Sequence, residues 1–135
     1  MINVANVSIC PLETGLLQGT GATTYTWNGI ATGTTFTASP PSTTVYSVVG
    51  AALGCTSSAN AVILVKPLPL PIFASNSPIC NTEVLQLFGG GGQSYYWTGP
   101  QSFTSSAKNP VLTGANPLNS GAYSYTVTAA NNCTA

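Results

Sequence analysis

The chain has no histidine, no aspartate and no arginine; two lysines and two glutamates are its only charged side chains. Without His or Asp, neither a Ser-His-Asp nor a Cys-His constellation can be assembled. General acid–base work needs a positioned His, carboxyl, Lys, Tyr or Cys with a tuned pKa. The two carboxylates, Glu13 and Glu83, sit at matching places in two halves of the chain, so they read as turn residues and no enzyme is expected. A net charge of zero offers no electrostatic attraction for nucleic acid or an anionic membrane. No apolar run approaches the roughly 18–20 residues needed to span a bilayer, so no membrane insertion is expected. No charged segment followed by an apolar one opens the chain as a secretory signal would. With no His and widely spaced cysteines, no metal and no other cofactor is expected.

What is abundant is Thr and Ser, 33 of 135 residues, with 14 Gly and 10 Pro. Such a composition, with much Val and Tyr, suits strands and turns. The stretch from Ile9 to Gly29 recurs 70 positions later with nine of 21 residues identical: Ile9/Ile79, Cys10/Cys80, Glu13/Glu83, Leu17/Leu87, Gly19/Gly89, Gly21/Gly91, Tyr25/Tyr95, Trp27/Trp97 and Gly29/Gly99. Tyr46 to Thr56 and Tyr123 to Thr134 form a second matching pair, each a Tyr-led strand, a small-residue turn and Cys-Thr. The chain therefore reads as two tandem copies of one unit: residues 1–66, a proline-rich linker at 67–71, and residues 72–135. Prolines 67, 69 and 71 alternate, which favours an extended, semi-rigid spacer; a dock for proline-recognition domains is the functional alternative.

Period-two alternation places Tyr25 with Trp27, Tyr46 with Val48, and Tyr95 with Trp97 on inward faces. Trp27, Trp97, Tyr25, Tyr95, Tyr46 and Tyr123 are the expected core. Asn28-Gly29 signals a tight turn. Gly89–Gly92 lacks the Lys-Ser/Thr and helix pattern of a phosphate loop and reads as a connection between strands. Short strands separated by turn signals indicate an all-β sandwich in each unit.

Each unit carries two cysteines, with 44 and 52 residues between them. One disulfide per unit is expected, Cys10–Cys55 and Cys80–Cys133, with free buried thiols or cross-unit pairs as alternatives. Closing loops of this size is worth roughly 4 kcal/mol in the chain-entropy account, and disulfides point to an oxidising, extracellular or cell-surface location.

The pattern Ile-Cys-x-x-Glu, a Gly-flanked strand, Tyr-x-Trp, then a Tyr-led strand and Cys-Thr resembles the immunoglobulin-like and PKD-like repeats of large secreted surface proteins of Bacteroidetes-type bacteria. Asn119-Ser120-Gly121-Ala122-Tyr123 resembles the turn before strand F of immunoglobulin folds, where the tyrosine hydroxyl bonds back to the backbone. The resemblance implies two tandem immunoglobulin-like β-sandwiches that serve as spacers, stalks or adhesive surfaces. Its calcium-binding members use aspartates, which this chain lacks. The expected function is a structural repeat of an extracellular filament, stalk or surface fibre, its partners being copies of itself or adjacent repeats. The alternative is an adhesin binding glycan, through an outward aromatic such as Tyr96, or a protein.

After Cys55 the first unit continues through Thr56–Lys66, its most apolar strand; after Cys133 only Thr134 and Ala135 follow. The second unit thus reads as one strand short. Two readings stand side by side: Ile2, Val4 and Val7 of a neighbouring copy complete it by strand addition, or the parent chain continues into its own strand.

Overall fold

The computed structural model describes residues 1–135, which divide into two compact units, Met1–Pro67 and Leu68–Ala135. The protein is all-β, with a single 3-10 turn as its only helical element. The alternating prolines lie in a stretch without regular structure between the last strand of the first unit and the first strand of the second.

The first unit comprises β1 (Asn3–Val4), β2 (Val7–Ile9), β3 (Gly15–Thr20), β4 (Thr24–Trp27), β5 (Ala31–Thr32), β6 (Thr35–Ala38), β7 (Thr44–Ala52) and β8 (Cys55–Val65). One sheet has the order β1-β3-β6 and the other β2-β8-β7-β4-β5. All pairings are antiparallel except β2 with β8. Alternation decides which side chains meet between the sheets: Leu17 of β3, Tyr25 and Trp27 of β4, Tyr46 and Val48 of β7, and Ala61 and Ile63 of β8 are all buried in one cluster. The intervening Leu16, Val45 and Val49 face outward. Asn28 and Gly29 take left-handed φ values of 47° and 72° in the turn after β4.

The segment expected to serve a neighbouring copy is used at home. Asn3 and Val4 pair with Thr20 and Gly19, while Val7 pairs with Ile63. Ile2 is 7 % exposed, and Val4 and Val7 pack against the same core. The residues alternate too loosely for one continuous strand. The chain crosses from one sheet to the other at Ala5-Asn6, where the Asn6 side chain accepts from the Val62 N–H at 2.8 Å. Freeing Ile2, Val4 and Val7 as a donor arm would therefore uncover the first unit's own core.

The second unit comprises β9 (Ile72–Ser75), β10 (Leu85–Gly90), β11 (Ser94–Gly99), β12 (Phe103–Ser105), β13 (Val111–Leu112), the 3-10 turn (Pro117–Asn119) and β14 (Ser124–Thr128). Its sheets are β13-β10-β9 and β12-β11-β14. Beyond β14 there is one bridge, Thr128 to Thr134, and Val127 and Ala135 exchange both backbone hydrogen bonds at 2.9 Å. The consequence for packing is large. Nine buried apolar residues cluster in the first unit and four in the second, although the units are of nearly equal length.

Candidate functional site

The repeated residues first build the same local devices twice. In each Cys-x-x-Glu turn the glutamate carboxylate accepts from the cysteine N–H at 2.7 Å, Glu13 from Cys10 and Glu83 from Cys80. Each glutamate N–H donates back to that cysteine's carbonyl at 3.2 Å. The third turn residue is left-handed in both, Leu12 at φ 69° and Thr82 at φ 71°. The carboxylates are thus spent on holding exposed turns. We expect Glu13→Ala or Glu83→Ala to cost about 1 kcal/mol in equilibrium unfolding, and Gln, which keeps an acceptor oxygen, to recover much of it. A neutral result for both alanines would show that the caps do not contribute.

Gly21 and Gly91 are the second device. Both are left-handed, at φ 89° and 92°, and in both a Cβ would run into a backbone carbonyl of the strand entering the unit, that of Met1 or Leu70. The third is the indole. Trp27 is 0 % exposed and donates to the Gly33 carbonyl at 2.9 Å; Trp97 is 2 % exposed and donates to Ala107 at 3.1 Å. Trp27 stacks on Phe36, which in turn meets Tyr46, whereas Trp97 packs on Tyr125 with ring centres 4.3 Å apart. Tyr25 and Tyr95 each turn the hydroxyl back to a carbonyl three residues earlier, Ala22 or Gly92.

Tyr123 donates to the Asn119 carbonyl at 3.0 Å, just ahead of β14, and packs edge-on against Phe103. Asn116 and Asn119 cap each other's backbone around the 3-10 turn that sets this corner. Burial raises the pKa of Tyr123. It raises that of Tyr125 too, where the hydrogen bond to the Gly90 carbonyl works the other way and Tyr95 adds to the rise.

Between the two sheets of the second unit these elements leave an open groove of about 670 Å³. Its floor is the inward face of β10, Leu85 and Leu87, with Trp97 behind them; Ile79, Phe73 and Tyr123 stand on its walls. The first unit explains why it is open. There Ile9, the repeat counterpart of Ile79, is buried because β2 lies beside β8, with Ile9 opposite Val65. In the second unit no strand follows Ala135 along β14, Ile79 belongs to no strand, and it is only half-buried. The groove is the space that β8 fills in the first unit.

No protein-family model matches this chain, and no curated protein matches it. Its chemistry has to be read from its own residues. No group of three His, Cys, Asp or Glu side chains converges as a metal site would require. No helix is long and apolar enough to cross a membrane.

The cysteines differ from expectation. Cys55 and Cys80 are exposed free thiols, whereas Cys10 and Cys133 are disulfide-bonded; neither Cys10–Cys55 nor Cys80–Cys133 is present. Strand polarity is the reason. Cys10 follows Ile9, which pairs with Val65 at one end of β8, and Cys55 begins β8 at the other. Ten strand steps separate these ends by about 33 Å, while bonded cysteines need Cα atoms within about 7 Å. In the second unit Cys80 lies in the turn that leads into Leu85. Cys133 lies beside Ala129, at the end of β14 where Thr128 faces Ser94. The length of β10, about 17–20 Å, stands between them. Alkylation without reductant is expected to modify Cys55 and Cys80 alone, with Cys10 and Cys133 labelled after reduction. Labelling of Cys10 in the oxidised protein would contradict this assignment.

The groove itself was half visible in the sequence, as the strand missing after Cys133. Its walls were not, because Phe73 and Ile79 lie in segments with no clear alternation.

Proposed function

We propose that this chain is a structural repeat module of an extracellular filament, stalk or surface fibre: two tandem immunoglobulin-like sandwiches joined by the proline-rich segment 67–71, without catalytic activity. The observation that carries the reading is where the repeated residues go. Glu13 and Glu83 cap turns, Gly21 and Gly91 admit a passing backbone, and Trp27 and Trp97 fill cores. A sequence that copies its fold-building residues and has few ionisable side chains beyond them suits an architectural role.

The immunoglobulin-like assignment is supported by strand order. In the first unit β1, β3 and β6 correspond to strands A, B and E of one sheet, and β4, β7 and β8 to C, F and G of the other. The Tyr123 hydroxyl bonded back to Asn119 has the geometry of the tyrosine corner before strand F. An extracellular or cell-surface location is supported by the oxidised state of Cys10 and Cys133. A near-neutral surface also favours association over repulsion.

Electron microscopy and light scattering on the purified chain test the reading. Concentration-dependent multimers or fibres are the expected outcome, and a strict monomer at high protein concentration would count against it. The adhesin reading has one observation in its favour, Tyr96, which is 51 % exposed on the outer face of β11. A specific hit in a glycan array that is lost in Tyr96→Ala would favour adhesion over architecture.

A further inference from the structure

We infer that the groove of the second unit is an acceptor for a strand with the chemistry of β8, delivered by another polypeptide of the same repeat type and added antiparallel to β14. The inference deepens the structural-module reading and rests on its assembly half. Its basis is that the molecule contains the completed form of the same site, so direction, register and side-chain requirements can all be read by superposing one repeat on the other.

Direction comes from the residues after the turn. Thr56 pairs with Ala51 and Ser57 with Gly50 at the start of the β7–β8 ladder. Thr134 bridges to Thr128, and Ala135 exchanges backbone hydrogen bonds with Val127. These are the first two rungs of the same ladder. In the first unit it continues Val49 to Ser58, Val48 to Ala59, Ser47 to Asn60, Tyr46 to Ala61, Val45 to Val62 and Thr44 to Ile63. Carried onto the second unit, the rungs beyond Ala135 fall opposite Thr126, Tyr125, Ser124, Tyr123, Ala122 and Gly121. Tyr123 and Gly121 line the open groove.

Side-chain requirements follow from alternation. In β8 it is Ala59, Ala61, Ile63 and Val65 that turn toward the core, and Ala61 and Ile63 are 0 % exposed. The acceptor offers an apolar floor of Leu85, Leu87 and Trp97 to those positions. It has no charged side chain along its walls to compensate a charged donor, so an acidic or basic residue at an inward position would be desolvated without a partner. The far wall contributes as well. In the first unit the β8 backbone is held on both edges, by β7 and by the parallel strand β2, and the Lys66 N–H donates to the Ile9 carbonyl at 2.9 Å. Ile79 is the counterpart of Ile9, so the incoming strand acquires a second hydrogen-bonded edge at Ile79–Cys80. A groove that can satisfy a strand's backbone on both sides and bury alternate side chains has the two elements that strand addition requires.

The test uses the whole protein and a synthetic peptide of residues 58–66, SANAVILVK, carrying a fluorophore at its N-terminus. Saturable binding is expected, with slowed amide exchange at residues 121–126 and at 79–80. A peptide carrying Ile63→Asp should bind about tenfold more weakly or worse, a change equivalent to 1.4 kcal/mol, as should one with the alternation shifted by a single residue. Using altered peptides leaves the fold of the acceptor untouched. Absence of saturable binding, equal binding of the shifted peptide, or protection confined to the first unit would each overturn the inference. Fibres seen by microscopy together with a failed peptide would leave the structural-module reading standing and remove this acceptor from it. A bound peptide with a strictly monomeric protein would do the reverse.

Discussion

Replacing Trp27 by alanine is expected to destabilise the first unit by about 3–5 kcal/mol, most of what a domain of this size has in reserve. The indole is 0 % exposed and touches the residues that join the two sheets: Phe36 of β6 stacks on it at 5.6 Å, and Phe36 in turn meets Tyr46 of β7 at 5.1 Å. Alanine would leave a cavity on the scale of two rings and would orphan the Gly33 carbonyl that accepts the indole N–H. The neighbours cannot collapse into the gap, because β4 is held between β5 and β7. Phenylalanine keeps one ring and loses only the hydrogen bond and some area, so a cost of about 1–2 kcal/mol is expected for Trp27→Phe. Amide exchange at β4 and β7 reads the first unit without interference from Trp97. A loss below about 1 kcal/mol in Trp27→Ala would mean that the indole is not the keystone of this core.

Gly91→Ala is expected to cost about 3 kcal/mol, against about 1 kcal/mol for Gly29→Ala. The two glycines share a left-handed backbone, at φ 92° and 72°, so the conformational penalty is nearly the same. They differ in what the added methyl meets. Around Gly29 there is nothing within 4 Å, whereas at Gly91 a Cβ would overlap the Leu70 carbonyl, which is backbone and cannot rotate away. Accommodating it would push the start of β9 from β10, where Ile72 pairs with Gly90. Gly21→Ala tests the same point in the first unit, since its Cβ would stand 2.5 Å from the Met1 carbonyl oxygen. Denaturant midpoints of the three variants decide it. Equal losses at Gly29 and Gly91 would refute the close passage of the entering strand.

These two effects fall on residues that the sequence marked by repetition. Trp27 and Gly91 each belong to a pair 70 positions apart, and repetition singles out positions where no other residue type fits. It does not say why. The Tyr25 and Trp27 face could be read from alternation alone, because a strand's side chains change sides at every residue whatever it pairs with. Leu12 and Thr82 escaped notice, since neither residue type signals the left-handed turn position it occupies.

The limit of legibility lies between short-range and long-range structure. Turns and strand faces depend on residues two to four apart, and the sequence of this protein determined them: the Cys-x-x-Glu turn, the Asn28-Gly29 turn, the inward tyrosines and tryptophans, and the doubling of the whole pattern. Sheet order and strand polarity depend on which distant segments pair. Only the tertiary structure decided that Ile2–Ile9 divides between two sheets, that β2 runs parallel to β8, and that Cys10 and Cys55 stand at opposite ends of one strand. It alone decided that the absent partner of β14 leaves a groove walled by Ile79 and Phe73. The physical reason is that a β-ladder is indifferent to the sequence distance between its strands: alternation specifies the face a side chain takes, while burial shared among many strands selects the neighbour.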